Sequence, residues 1–198
     1  MRSRSPQRQK GIVLMVALIM LVAMSLAGVA LMRSVETAVM VAGNFAFKEA
    51  AIQSTDQGVN AAADWLLTAN KDAPMSLFDD NAAKGYYSSL PPTDPDFFAE
   101  DTWKTTSVSV NGGAADAAGN KTRFMIHRMC TLPGLNWADP DNDCALQTTA
   151  ATEGEGASKK PGAPPPNGTP ILYYRVTSRV DGPRNTVSIS QVSLAQKL

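Results

Sequence analysis

Between Lys10 and Met32 the chain reads KGIVLMVALIMLVAMSLAGVALM, and this stretch decides its fold. A leader of residues 1–10 precedes the apolar run and holds four basic residues and no acidic one. The run itself is uncharged, and at about 1.5 Å rise per residue it forms a helix of roughly 33 Å. Since a bilayer core is about 30 Å thick, residues 12–32 are predicted to span a membrane. Basic residues stay on the cytoplasmic side, so we expect the rest of the chain to be exported.

The helical pattern continues beyond the membrane segment. No proline interrupts residues 7–73, and alanine, a strong helix former, is frequent there. The sequence predicts one helix from Ile12 to about Ala69, roughly 85 Å long, with Gly58 among its weak points. Its second half is amphipathic, so we expect one face to lie on a sheet. Apolar residues recur on this face mainly at spacings of three, four or seven: Val35, Ala38, Ala42, Phe45, Ile52, Val59, Ala63 and Leu66.

The C-terminal part predicts an antiparallel sheet. Runs rich in β-formers, separated by turn residues, indicate four strands at residues 104–110, 122–129, 171–180 and 186–194. A break in the alternation at Gln191 indicates a β-bulge. Residues 74–101 predict a loop packed by aromatics with a short helix, and residues 150–170 an exposed flexible loop. The fold class is α+β, with a long N-terminal transmembrane and amphipathic helix packed on a small antiparallel β-sheet.

The two cysteines, Cys130 and Cys144, lie close together in the sequence. Because an exported domain faces an oxidising compartment, we expect a disulfide between them; two free buried thiols are the alternative. In the chain-entropy model, closing a loop of this length contributes roughly 3 kcal/mol.

Charge and motif content argue against nucleic-acid binding and against catalysis. Removing the leader takes away four of 18 basic residues and none of the 18 acidic ones, which leaves a net charge of −4. Nucleic acid needs a basic surface, so it is not an expected partner. His127 is the only histidine, and no serine lies in a nucleophile-elbow context, so we predict no enzyme and no catalytic residue.

An acidic turn raises the question of a metal site. Asp139, Asp141 and Asp143 have the spacing that opens a calcium loop, but Cys144 stands where that loop needs glycine. We therefore expect a solvated turn. The sequence predicts no cofactor and no metal.

Lys10-Gly11 before the apolar run is similar to the class III signal of type IV prepilins and pseudopilins. More of the chain resembles the PilX-like minor pilins of the type IV pilus: the AGN segment at residues 42–44 and the closing hairpin within residues 174–188. The resemblance implies that a prepilin peptidase cuts after Gly11 and methylates the amine of Ile12. It carries no information on residues 74–170.

The resemblance also implies a domain plan, partners and a location. Residues 1–11 would be the leader, 12–70 the long helix and 71–198 a periplasmic or extracellular pilin domain. Implied partners are the prepilin peptidase, other minor pilins with a tip adhesin-like protein, the major pilin and the inner membrane. We expect the N-terminus on the cytoplasmic side and the C-terminal domain in the periplasm before assembly, and the subunit at the pilus tip afterwards.

Val16, at the fifth mature position, departs from the major pilins. Major pilins carry glutamate there, and in that class its carboxylate pairs with the N-terminal amine of the neighbouring subunit. A subunit with no such neighbour needs no glutamate, so Val16 favours a minor pilin that helps to initiate assembly at the tip. Two alternatives stay open: a minor pseudopilin of a type II secretion system, and a single-pass periplasmic anchor protein.

Overall fold

The computed structural model describes residues 11–148 and 170–197. Helix α1 spans Ile12–Asp72 as one continuous run of 61 residues. It ends just before a 3₁₀ turn, Pro74–Leu77, because proline offers no amide N–H to continue an α-helix. The helix predicted from Ile12 to about Ala69 is confirmed, and none of its glycines interrupts it.

The chain forms two compact units, and α1 contributes to both. The first comprises the residues up to Ala46 and the second Phe47–Leu198. In the first unit every side chain from Ile12 to Ala42 is exposed. Among the described residues, α1 is the one helix long and apolar enough to cross a membrane. An apolar surface of this extent needs lipid or other helices to cover it.

In the second unit, α1 packs on a sheet through a stripe of mostly small side chains. The buried residues of the helix recur at short helical spacings: Ala51, Ser54, Thr55, Gly58, Ala62 and Leu66. The predicted apolar stripe shares Leu66 with this set, but Ile52 is 45% exposed and Phe45 is 68% exposed. The predicted stripe was wrong in these positions because it followed hydrophobicity, whereas close approach of a helix to a sheet selects small residues.

Gly58 marks a point of very close approach between α1 and the sheet. A Cβ at this position would collide with Ser178 Oγ and lie 3.0 Å from Thr122 Cγ2. Both neighbours belong to sheet strands and are buried. The absence of a side chain at Gly58 therefore sets the distance between helix and sheet.

The sheet has six strands and is mixed. Its strands are β1 (Tyr86–Tyr87), β2 (Val108–Ser109), β3 (Lys121–Arg128), β4 (Leu146–Thr148), β5 (Pro170–Gly182) and β6 (Thr186–Lys197). β5 pairs antiparallel with β6 on one side and with β3 and then β4 on the other. β2 pairs antiparallel with β3, whereas β1 runs parallel to it. The α+β class is confirmed, and β1 makes the sheet mixed where a purely antiparallel one was predicted.

Two local strand predictions were wrong. The run at residues 104–110 forms only the short β2, because a short helix, α2 (Asp101–Lys104), precedes it. Trp103 of α2 is buried, and its indole N–H donates to the Phe97 carbonyl at 2.8 Å, which holds this segment in a turn. β6 has no bulge, since Gln191 lies within an unbroken pairing register.

The core lies between α1 and the inner face of the sheet. It is built from Ala62, Leu66, Leu77, Tyr86, Phe124, Ile126, Cys130, Leu172, Tyr174 and Val176. A disulfide joins Cys130 to Cys144 and closes the loop between β3 and β4. The predicted leader, except Gly11, and residues 150–169 of the predicted flexible loop lie outside the described residues.

Candidate functional site

The predicted processing site, Gly11 and Ile12, lies at the start of α1. Gly11 has φ +64°, a left-handed conformation that glycine adopts without strain. Its carbonyl accepts a hydrogen bond from the Met15 N–H, N···O 3.3 Å. Among the described atoms, nothing lies within 4 Å of the position a Cβ would take at Gly11. Glycine therefore suits this position by its backbone angle, whereas the described atoms leave room for a side chain.

Val16 follows within the first turns of α1, in a segment that offers no charge. Its side chain is 49% exposed. The first acidic residue after Gly11 is Glu36. Ser25 is polar, but its hydroxyl donates a hydrogen bond to the Leu21 carbonyl at 2.8 Å. The donor is therefore used within the helix. A neighbouring helix would meet a purely apolar surface here.

Arginines and carboxylates form an ion-pair network on the sheet face turned away from α1. Arg123 contacts Glu100 at 2.7 Å, and Arg179 contacts Glu100 at 3.0 Å and Asp181 at 2.9 Å. The hydrogen bond from Arg123 holds the pKa of the Glu100 carboxyl below its ordinary value. Because Glu100 directly precedes α2, the network ties α2 to β3 and β5.

His127 lies on the same face, stacked on Tyr87 with ring centroids 5.1 Å apart. It is 6% exposed and borders a cavity of about 360 Å³. Burial and, to a smaller extent, the charge of Arg175 lower its pKa to about 4. Among the described residues its buried Nδ1 has no hydrogen-bond partner, whereas the histidine of a Ser-His-Asp triad has an acid at that atom. This imidazole is a neutral packing group.

The acidic turn at residues 139–143 is held by local hydrogen bonds. Asp139 Oδ1 accepts from the Asp141 N–H at 3.0 Å, and Asn142 Oδ1 accepts from the Leu132 N–H at 3.1 Å. Within the described parts of the chain, no group of three or more His, Cys, Asp or Glu side chains is placed to hold a metal ion. The turn is organised by side-chain oxygens that accept hydrogen bonds from backbone N–H groups.

A polar cluster ties α1 to the segment that leads into β3. Ser54 Oγ donates to Asp116 Oδ2 at 2.7 Å, and Asn120 Nδ2 donates to Ser54 Oγ at 2.9 Å. Burial raises the pKa of Asp116, but hydrogen bonds from Ser54 and Asn120 outweigh it and hold the pKa below its ordinary value. No sequence pattern signals this cluster, because Ser54 is more than 60 residues away from Asp116 and Asn120.

The comparisons with known proteins concern the N-terminal part of the chain. Residues 10–60 match the family model described as PilX N-terminal. No curated protein and no solved structure matches the chain. The matched residues begin at the predicted processing site, include the exposed apolar part of α1 and reach into the buried stripe. That family contains structural subunits of a membrane-anchored pilus. The N-terminal part of the chain is accordingly similar to that of the PilX-like type IV pilins.

Proposed function

We propose that this minor pilin helps to initiate assembly of a type IV pilus and is placed at or near the pilus tip. In this proposal the prepilin peptidase removes residues 1–11, and the subunit waits in the inner membrane with its C-terminal domain in the periplasm. It then joins other minor pilins and a tip adhesin-like protein, and the major pilin extends the filament beneath them. The observation that carries the proposal is the neutral side chain of Val16.

Charge balance in lipid explains why Val16 matters. An isolated charge inside a membrane is costly, so an N-terminal amine that enters a helix bundle needs a nearby carboxylate. α1 has no acidic residue before Glu36, so Val16 and its neighbours cannot supply one. A subunit that docks first, with no subunit ahead of it, has no foreign amine to neutralise.

The exposed apolar part of α1 supports bundling with other helices. In lipid, helices associate through close packing, which small residues allow. Several such residues lie in this segment: Ala17, Ala23, Ala27 and Gly28. None of the described atoms lies within 4 Å of a Cβ built at Gly28, so these atoms leave room there for a partner helix.

The test introduces a glutamate at position 16 and compares it with a glutamate at another position of the same helix. Val16→Glu is the test variant and Val22→Glu the control, because the two valines have similar exposure, 49% and 46%. We expect the unaltered subunit to be scarce in sheared pili and confined to one end. Val16→Glu should enter the shaft several times more often, whereas Val22→Glu should not. Quantitative mass spectrometry and gold labelling of sheared pili measure this.

Deletion supplies the second readout. Losing a subunit that initiates assembly should strongly lower the number of pili per cell and leave the length of the remaining pili unchanged. Even labelling along the shaft at near-major abundance would contradict tip placement. Unchanged piliation together with a loss of protein secretion would favour a type II secretion pseudopilin, and no filament phenotype at all would favour a plain anchor.

A further inference from the structure

Arg128, the last residue of β3, is fully buried with 0% exposure. Its Nε donates to the Ser88 carbonyl at 2.7 Å, and its Nη2 donates to the Leu135 carbonyl at 2.7 Å. Its Nη1 is buried and has no hydrogen-bond partner among the described residues. The guanidinium also lies 5.9 Å from the centre of the Phe78 ring. Two neutral carbonyls and an aromatic ring therefore surround a full positive charge.

Three other arginines of the sheet each have a carboxylate partner; Arg179 is buried, and Arg123 and Arg175 are half-buried. Arg123, Arg175 and Arg179 each contact a carboxylate at 3.1 Å or less. Among the described residues, no carboxylate oxygen lies within 4.0 Å of the Arg128 guanidinium. Burying an unpaired charge costs free energy, so we expect Arg128 to have a negatively charged partner.

Neighbouring tyrosines do not supply the negative charge. Burial raises the pKa of Tyr174 to about 12, although the positive charge of Arg128 acts in the opposite direction. Burial likewise raises the pKa of Tyr86 above its ordinary value, and the Tyr86 hydroxyl already donates to the Leu77 carbonyl at 2.7 Å. Both phenols are neutral at physiological pH.

A cavity of about 230 Å³ adjoins Arg128. Its walls are mainly apolar and aromatic: Pro74, Leu77, Phe78, Trp137, Leu172 and Tyr174. Sites for drug-sized ligands measure about 300–1,000 Å³, so this cavity suits a smaller group. Nε and Nη2 already donate to carbonyls, so Nη1 is the guanidinium nitrogen left to donate to a carboxylate, and the walls match an apolar body.

We propose that this cavity, between the end of α1, β5 and the disulfide-closed loop, binds a carboxylate carried on a small apolar or aromatic body. The carboxylate would take the free donor of Arg128 and neutralise its charge. The ring or alkyl part would lie among Phe78, Trp137 and Leu172. Two sources present this chemistry: a free aromatic acid, and the C-terminal carboxylate of a polypeptide that ends in an apolar residue.

The test uses the full-length protein in detergent and isothermal titration calorimetry. The probes are phenylacetate and its neutral counterpart phenylacetamide, and the peptide Gly-Gly-Phe with a free or an amidated C-terminus. Each acid should bind roughly 10- to 100-fold more tightly than its amide, because hydrogen bonds to a charged group are lost with the carboxylate. Tighter binding of phenylacetate points to a free acid, and tighter binding of Gly-Gly-Phe points to a chain terminus.

Variants locate the binding. Arg128→Met should abolish the preference for the acid, and Arg175→Met, on the opposite face of the same sheet, should retain it. Trp137→Ala should weaken the binding of phenylacetate and leave the binding of acetate unchanged. This variant tests the proposal if Arg128→Met does not fold. Equal affinity for acid and amide in the unaltered protein would overturn the proposal. Glu153 and Glu155 lie between β4 and β5 in the sequence, outside the described residues. Binding that appears only in the double variant Glu153→Gln/Glu155→Gln would also overturn the proposal, because the chain would then provide its own carboxylate to Arg128.

Discussion

At the scale of single residues, the protein accommodates charge in three ways. Val16 avoids charge in the apolar part of α1, and Arg123 pairs its charge with Glu100 at 2.7 Å. His127 remains neutral, because burial and the charge of Arg175 lower its pKa to about 4. In each case the surroundings of the side chain explain its charge state. Because His127 can be protonated, its effect on stability can be measured by changing the pH.

Lowering the pH should destabilise the sheet unit through His127. Its pKa is 6.5 in the unfolded chain and about 4 in the folded one, so between these values the unfolded chain binds the extra proton. The free energy of unfolding therefore falls as pH falls from 6.5 towards 4, by up to about 3 kcal/mol. Urea unfolding at pH 7 and pH 4.5, followed by tryptophan fluorescence, measures this.

His127→Gln should flatten this pH dependence. It removes the single histidine, so no other imidazole titrates in that window. An equally steep loss of stability in His127→Gln would show that carboxylates cause the effect.

At the scale of elements, the contact between α1 and the sheet depends on Gly58. Alanine there places a methyl group against Ser178 and Thr122. We expect Gly58→Ala to lower the free energy of unfolding by about 1–3 kcal/mol, as overpacking does elsewhere. Urea unfolding of the full chain in detergent provides the measurement.

Gly43→Ala is the matched control, because nothing lies within 4 Å of a Cβ at that position of the same helix. It should be neutral or stabilise by up to about 1 kcal/mol through helix propensity. Equal effects of the two substitutions would mean that Gly58 is not a packing residue.

The elements differ in how far the sequence predicts them. α1, β3, β5 and β6 follow from local periodicity and from the absence of proline, so their bounds were predicted within a few residues. β1 has two residues and is defined by parallel pairing with β3, a contact across some 40 residues that no local pattern encodes. α2 depends on the burial of Trp103, which is likewise a tertiary effect.

The candidate sites divide in the same way. Gly11, Ile12 and Val16 belong to a contiguous motif and were predicted from it, and Cys130 and Cys144 were expected to pair because they lie close in sequence in an exported domain. Arg128 gives no signal in the sequence, where it is one polar residue at the end of a strand. Its lack of a carboxylate partner becomes visible only when β3, β5 and the disulfide loop are brought together.

At the scale of the whole molecule, the processing of the N-terminus decides whether the chain can enter a filament. We predict that the mature protein begins at Ile12 and has lost the 11-residue leader. Lys10-Gly11 before the apolar helix is the basis of this prediction. Intact-mass analysis of protein from cells with and without the prepilin peptidase measures it.

Without the peptidase, the full chain from Met1 should accumulate in the membrane. A mature protein that starts after Ala30, as ordinary signal cleavage would give, would remove the apolar helix and exclude a pilin role. Retention of Met1 in cells with an active peptidase would also exclude a pilin role.

The disulfide has a consequence for redox behaviour. The ring that Cys130 and Cys144 close includes Leu135, which accepts a hydrogen bond from Arg128, and Trp137, which forms a wall of the same cavity. Opening the ring would free both residues, so a carboxylate held in this cavity would favour the oxidised chain. By thermodynamic linkage, each tenfold preference for the oxidised form lowers the midpoint potential of the cysteine pair by about 30 mV. An occupied cavity would thus make the subunit harder to reduce.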